Sequence, residues 1–408
     1  MTAGEGTRSL WQVPSFRRYA GADAISKLGS EITLVALPLT AAITLHASPF
    51  QVGLLTAAGM LAFLLVGLPA GAWVDRMPRR PVLVVTDAIR AAALLSVPVA
   101  AALDVLSLPQ LYGVALLTGL CTVFFDVAQQ SHLPAIVDGR DLTRGHGALA
   151  GNLSLAQLTG PGIGGWLVQL LTAPVAILAD AVSFAVSAVL LLGVRAGEER
   201  LQERRGSLRA EIAEGVRFVA GHPVLRVVAV TGALTMLAFG LWTATLPLYL
   251  IREVGVSPAA YGLLLSASAA GGVGGAWLAP RVARRLGTGP AMYGSAALAA
   301  AFMLPVALTG PGWRLLVFPA GLALSGLAGT VFSVVQGAYR QSICPPHLLG
   351  RLSATMRFLM WGAMPLGGLL AGTLGQLAGV RAAFVAACAC YSLAHVPVLA
   401  TPGIRSVR

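Results

Sequence analysis

Charge is what this chain of 408 residues has least of. Asp, Glu, Lys and Arg make up 11% of it, hydrophobic residues 56%, and the mean hydropathy is +0.79. Soluble domains carry about 25% charged residues, so the two or three soluble domains that the length alone would permit are excluded. Acidic residues are scarcer than basic ones, 16 against 28, which leaves a net charge of +12. That excess alone would fit a nucleic-acid binder, but the basic residues stand in short clusters between long apolar runs. Nucleic acid is therefore not an expected partner. Lys27 is the only lysine, a bias that says nothing about function. The four cysteines (Cys121, Cys344, Cys388, Cys390) lack metal-site spacing and read as small packing residues. His132, His146 and His395 form no ligand-spaced pair. Gly-x-x-x-x-Gly-Lys-Ser/Thr is absent, and Gly271 to Gly275 is a packing run within an apolar segment. An ATP-driven pump and an enzyme are both disfavoured, and no cofactor or metal is expected.

What is present is apolar sequence of spanning length. A membrane helix needs about 20 mostly apolar residues, and twelve segments qualify: 19–45, 50–74, 82–103, 109–131, 145–170, 173–194, 224–250, 258–280, 289–309, 313–337, 352–377 and 380–400. The first twelve residues lack an apolar core followed by a cleavage site, so the first span is expected to direct insertion. An even number of spans puts both termini on one side. Placing them in the cytoplasm puts 22 basic residues in inner segments and three (Arg252, Arg314, Arg381) in outer loops. That asymmetry fixes the orientation. The class expected is an all-α protein of the cytoplasmic membrane with twelve spans in two six-helix bundles.

The longest hydrophilic stretch divides the spans six and six, giving bundles at 1–194 and 224–408 with a linker at 195–223. In the linker, Leu208, Ile212, Val216 and Val219 recur at helical spacing, which predicts an amphipathic helix on the inner membrane face. A passive tether is the plain alternative. A shift of 209 pairs Pro38 with Pro247, Gly53 with Gly262 and Pro81 with Pro290. A shift of 204 pairs Pro161 with Pro365 and Gly164 with Gly368. A duplicated six-span unit accounts for these matches, and paired repeats are a frequent plan among secondary transporters.

Between spans two and three stands Gly71-Ala-Trp-Val-Asp75-Arg76-Met-Pro-Arg79-Arg80. It resembles the Gly-x-x-x-Asp-Arg-x-x-Arg-Arg loop of the major facilitator superfamily, which latches helix ends on the inner side in the outward-facing state. Asp87 and Arg90 stand close enough in sequence to belong to that latch. In the second half Arg284 occupies the place of Asp75, so a second latch is in doubt. Span five carries Gly160-Pro161-Gly-Ile-Gly164-Gly165, similar to the Gly-Pro-x-x-Gly-Gly motif of exporters in that superfamily. Phe16-Arg17-Arg18, Thr86-Asp87, Asp180-Ala-Val-Ser183-Phe184 and Glu211 to Phe218 resemble its macrolide-efflux and enterobactin-exporter-like drug:proton antiporter branch. The resemblance covers nearly the whole chain, most densely 16–223. It implies two bundles around a central cavity, alternating access, and proton-coupled export of amphiphilic small molecules by a monomer.

Ionisable residues within spans are functional candidates. Asp23, Lys27 and Glu31 lie four apart on one face of span one. Lys27 can pair with either acid, and a carboxylate left without its cation is suited to carry a proton. The alternative is a structural Asp23–Lys27–Glu31 ladder. Asp126 in span four is a further coupling candidate, with a structural polar contact as its alternative. After Glu214 the only acidic residue is Glu253, in an outer loop, so a proton site is expected in the first half. The second half offers Phe239, Trp242, Met360 and Trp361 as cavity candidates, although aromatics in helices also serve as packing or interface anchors. Arg357 would meet an anionic substrate group or snorkel to the inner surface. Three other functions stay open: siderophore or metabolite export, proton-independent facilitation, and a non-transporting receptor or scaffold.

Overall fold

The structure, a computed structural model, describes residues 10–74, 76–194, 208–345 and 348–405, with the side chains of 68, 72, 208–212 and 349 also outside it. The described residues contain helices and no strand. The first six rods are α1 (Pro14–Leu39), α2 (Pro49–Val74), α3 (Arg79–Ala102), α4 (Leu108–His132), α5 (Leu142–Leu170) and α6 (Ala173–Leu192). The linker helix is α7 (Leu208–Gly221). It is followed by α8 (Pro223–Pro247), α9 (Pro258–Leu286), α10 (Thr288–Met303) and α11 (Val317–Ile343). Two shorter pieces, α12 (Leu349–Trp361) and α13 (Met364–Ala378), then precede α14 (Val380–Ala394). Prolines mark the starts: Pro14, Pro49, Pro109, Pro174, Pro223 and Pro258 stand in first turns, where the missing N–H has no intrahelical partner to lose.

Among the described residues ten segments are long and apolar enough to cross a membrane. The two rods outside that set are α1 and α5, of 26 and 29 residues. They are as long as the others, and α1 falls short because it carries Arg17, Arg18, Asp23, Lys27 and Glu31. The eleventh span, expected as one run, is broken between Trp361 and Met364. Pro365 has no N–H to offer the preceding turn, so the helix restarts there.

Within the first half, α1 packs on α5 and α6, α3 on α4 and α6, and α2 on α4. Within the second, α11 packs on α9 and α10, and α8 on α13 and α14. The halves meet through α2 against α13 and α5 against α9. These two contacts are counterparts under the sequence repeat. A Cβ on Gly53 would collide with Gly368 and Gly372, and one on Gly262 with Pro161 and Gly165. The paired Leu-Pro-Leu stretches also correspond, since Pro38 and Pro247 each lead into a π-helical turn, Thr40–Thr44 and Leu248–Glu253.

The linker helix differs from its expected setting. It docks on the second half rather than only lying on the bilayer. A Cβ on Gly215 would press on Arg351 and Thr355, and Glu214 pairs with Arg351. Val219 is buried while Val216 is 43% exposed. The docking face therefore runs through Gly215 and Val219, and the expected stripe is only partly used.

Candidate functional site

The cross-half contacts concentrate at the outer ends of the helices, away from the arginine clusters. Pro49 and Phe50 abut Gly375 and Gly372, and Gly165 abuts Pro258. Gln169 Oε1 accepts from the Ala259 amide at 3.1 Å. Arg252, at the outer end of α8, donates to the carbonyls of Ala47 and Ala42 beyond α1, at 2.8 and 2.5 Å. Going inward along α2, Phe63 stacks on Trp361 with centroids 5.1 Å apart, and Leu64 lies by Gly362. Nearer the inner ends, Gly67 and Gly71 on α2 and Gly147 and Gly151 on α5 face open space. The halves thus meet at the end away from the arginine clusters, and the cleft between them is read as opening at the arginine-rich end, the inner end on the expected orientation.

The four-residue spacing on α1 resolves into two different carboxylates. Asp23 is 2% exposed and takes Lys27 Nζ at 2.7 Å. It also accepts from Gln129 Nε2 at 2.6 Å and Asn152 Nδ2 at 2.9 Å. Lys27 in turn donates to the Leu149 carbonyl at 3.2 Å. Asp23 is therefore a satisfied anchor tying α1 to α4 and α5. Glu31 is half-buried and has no ion pair or hydrogen bond among the described residues. Gln129 and Asn152 were not singled out in the sequence. Their signal was a polar amide inside an apolar span, which needs a partner there.

The Gly-Pro-x-x-Gly-Gly segment faces two ways. Gly160 and Gly164, one turn apart, receive α1. A Cβ at 160 would overlap Glu31 Cβ and reach within 3.3 Å of its Cγ, and one at 164 would lie 3.1 Å from Ile32 Cα. Gly162 and Gly165, on the other side, receive α9, and the Gly162 amide donates to Ser266 Oγ at 2.9 Å. Pro161 is buried between them.

Of the expected latch, Asp75 lies outside the described residues. Arg80 donates to the carbonyls of Leu191 and Leu192, and Arg18 to that of Gly193 at 2.5 Å. Both cations thereby cap the C-terminus of α6, where the helix dipole favours positive charge. Arg76 is exposed. Asp87 and Arg90 sit elsewhere than their sequence neighbourhood suggested. Asp87 is fully buried, pairs with Arg90 and accepts from Ser187 Oγ at 2.6 Å. The Arg90 guanidinium lies between the Phe125 and Phe184 rings, 4.4 and 4.1 Å from their centroids. This pair ties α3 to α6 through Ser187 and Phe184 and to α4 through Phe125, inside the first bundle, although Arg90 Nε is left without a hydrogen-bond partner.

Asp126 is half-buried, without a hydrogen bond or ion pair among the described residues. The cations whose fields reach it are Arg90, Arg357 and Lys27. Trp242 is 8% exposed and stacks between Phe318 and Phe384, inside the second bundle. Its burial corrects the reading of Trp242 as a cavity wall. Met360 fills the space over Gly232 on α8, Phe239 is 42% exposed, and Trp361 faces α2 across the cleft. Among the described residues no group of His, Cys, Asp and Glu is placed to hold a metal ion.

The family model of the Major Facilitator Superfamily matches residues 21–362. Multidrug efflux pump Tap of Mycobacterium tuberculosis is 31% identical over 386 residues, covering 90% of this chain and 88% of that protein. Macrolide efflux protein A of Streptococcus pyogenes is 23% identical over 383 residues, 91% of each chain. A solved bacterial homologue of the iron transporter ferroportin in its inward-facing state matches with a TM-score of 0.73 at 18% identity, over 97% of this chain and 100% of that one. An outward-facing structure of such a homologue matches at 0.64 and 18% identity, over 95% and 98%.

Proposed function

The chain belongs to the major facilitator superfamily, and we propose that it exports amphiphilic small molecules across the bacterial plasma membrane in exchange for protons. The efflux names of the two relatives and the export-type segment in α5 support the direction of transport. The observation that carries the coupling is the contrast on α1: Asp23 has three polar partners and Glu31 has none. A carboxyl without a cation in apolar surroundings is stable in its neutral form, and gains charge only when water or a partner reaches it. Exchange between an outward-open and an inward-open cleft would supply that change, letting Glu31 load outside and discharge inside. The working unit proposed is a monomer in the bilayer.

The test uses inside-out vesicles with an acidified lumen. Addition of a transported macrolide or cationic dye drives protons out of the lumen, read by a pH-sensitive fluorophore. In Glu31→Gln the proton signal is lost. Undiminished proton release in that variant would move the coupling site to Asp126, and transport without proton release in the wild type would make the protein a facilitator.

A further inference from the structure

Trp361 and Arg357 stand four residues apart on α12 and so share one face. One contact shows that this face looks toward the other half: Trp361 stacks on Phe63 of α2, with ring centroids 5.1 Å apart. Arg357 lies about 12 Å from the inner start of α12, and Asp126 about 9 Å from the inner end of α4, at 1.5 Å per residue. Arg357 is exposed to the cleft and has no ion pair or hydrogen bond among the described residues. Two other basic groups deep in the spans are engaged, Lys27 by Asp23 and Arg90 by Asp87.

We infer that Trp361 and Arg357 form a recognition site for planar aromatic molecules bearing an anionic group. The ring stacks on the Trp361 indole at the roof of the cleft, and the anion accepts hydrogen bonds from the Arg357 guanidinium one helical turn below. This inference rests on the export reading and narrows its substrate class. The ring takes the place of Phe63, whose contact with Trp361 lies deepest from the outer closure. Occupation of the site therefore loosens a contact between the halves, which links loading to rocking. On this proposal Asp126, on α4 of the other half, supplies the charge that competes with the bound anion.

Equilibrium binding to the purified full chain in detergent tests this without requiring transport. The probes are 2-naphthalenesulfonate, the uncharged 2-naphthalenesulfonamide, and a planar cation, proflavine. Arg357→Gln weakens the sulfonate about tenfold, the scale of a charge-assisted hydrogen bond, and leaves the sulfonamide and proflavine unchanged. Asp126→Asn tightens the sulfonate about threefold, the opposite sign, as removal of a competing charge requires. Trp361→Leu weakens all three probes, and Trp361→Phe restores most of the loss. Sulfonate binding unaffected by Arg357→Gln would overturn the anion site and make Arg357 an inner-surface anchor, and unchanged binding in Trp361→Leu would overturn the stacking site. Selective binding of the sulfonate with no movement of it into inside-out vesicles would instead remove the export reading and leave the site standing.

Discussion

At the residue scale, two carboxylates eight positions apart on one helix have opposite surroundings. Asp23 holds together three helices through Lys27, Gln129 and Asn152, whereas Glu31 contributes nothing comparable. Neutralising each should therefore separate stability from activity. Asp23→Asn leaves Lys27 without its counter-ion, at a cost of about 3 kcal/mol, and should lower the apparent unfolding temperature in detergent by several degrees. Glu31→Gln removes no ionic partner and should leave that temperature unchanged while abolishing proton release. Equal thermal losses in the two variants would return Glu31 to the structural ladder. Gly160 belongs to the same argument: a methyl there overlaps Glu31 Cβ, so Gly160→Ala must push α1 from α5 and displace the carboxyl. We expect proton release per substrate molecule to fall more in this variant than in Gly164→Ala, measured in the same vesicles.

At the scale of elements, the closure combines glycine contacts with hydrogen bonds from Arg252 and to Gln169. Gly53 against Gly368 and Gly372 repeats Gly262 against Gly165 on the other side of the molecule, so the halves meet backbone to backbone in two equivalent places. Small residues permit such approach in a membrane, where apolar burial supplies little drive for association. Arg252 adds the polar grip, donating to two carbonyls beyond α1 that the π-helical turn leaves available. Arg252→Gln should favour the outward-open form. A cysteine at Ala42 should then react several-fold faster with an impermeant thiol reagent applied outside, and an unchanged rate would reduce Arg252 to an outer-loop charge.

For the whole molecule, a cleft open at the arginine-rich end and closed at the other is one extreme of a rocking cycle. The latch residue Arg80, together with Arg18, here caps the C-terminus of α6 within the first half. The linker helix is attached to the second half through Gly215 and the Glu214–Arg351 pair, so it travels with that half when the two rock. Gly215→Val should detach it, because the larger side chain meets the Arg351 carbonyl. Faster tryptic cleavage at Arg217 would report the detachment, and wild-type cleavage kinetics would place the helix's attachment elsewhere.

Much of this was legible in the sequence. Apolar runs give ten of the twelve expected spans among the described residues, because the bilayer imposes length on any chain that crosses it, and arginine placement gives an expected orientation. The loop after α2 and the α5 glycines give the family, because close approach of backbones admits few residue types. Periodicity places Asp23, Lys27 and Glu31 on one face, but only packing decides which acid receives the lysine, since that depends on Gln129 and Asn152 arriving from α4 and α5. Likewise Trp242 and Trp361 look alike as aromatics in apolar helices. One is enclosed by Phe318 and Phe384 and the other stacks on Phe63 of the opposite half, a difference that depends on helices far apart in the chain. The sequence by itself determined the class, the spans and the candidate charges, which are local consequences of composition and period. Which charges are satisfied, which side is closed and where the linker docks were decided by the tertiary structure, because each depends on groups that meet from distant parts of the chain.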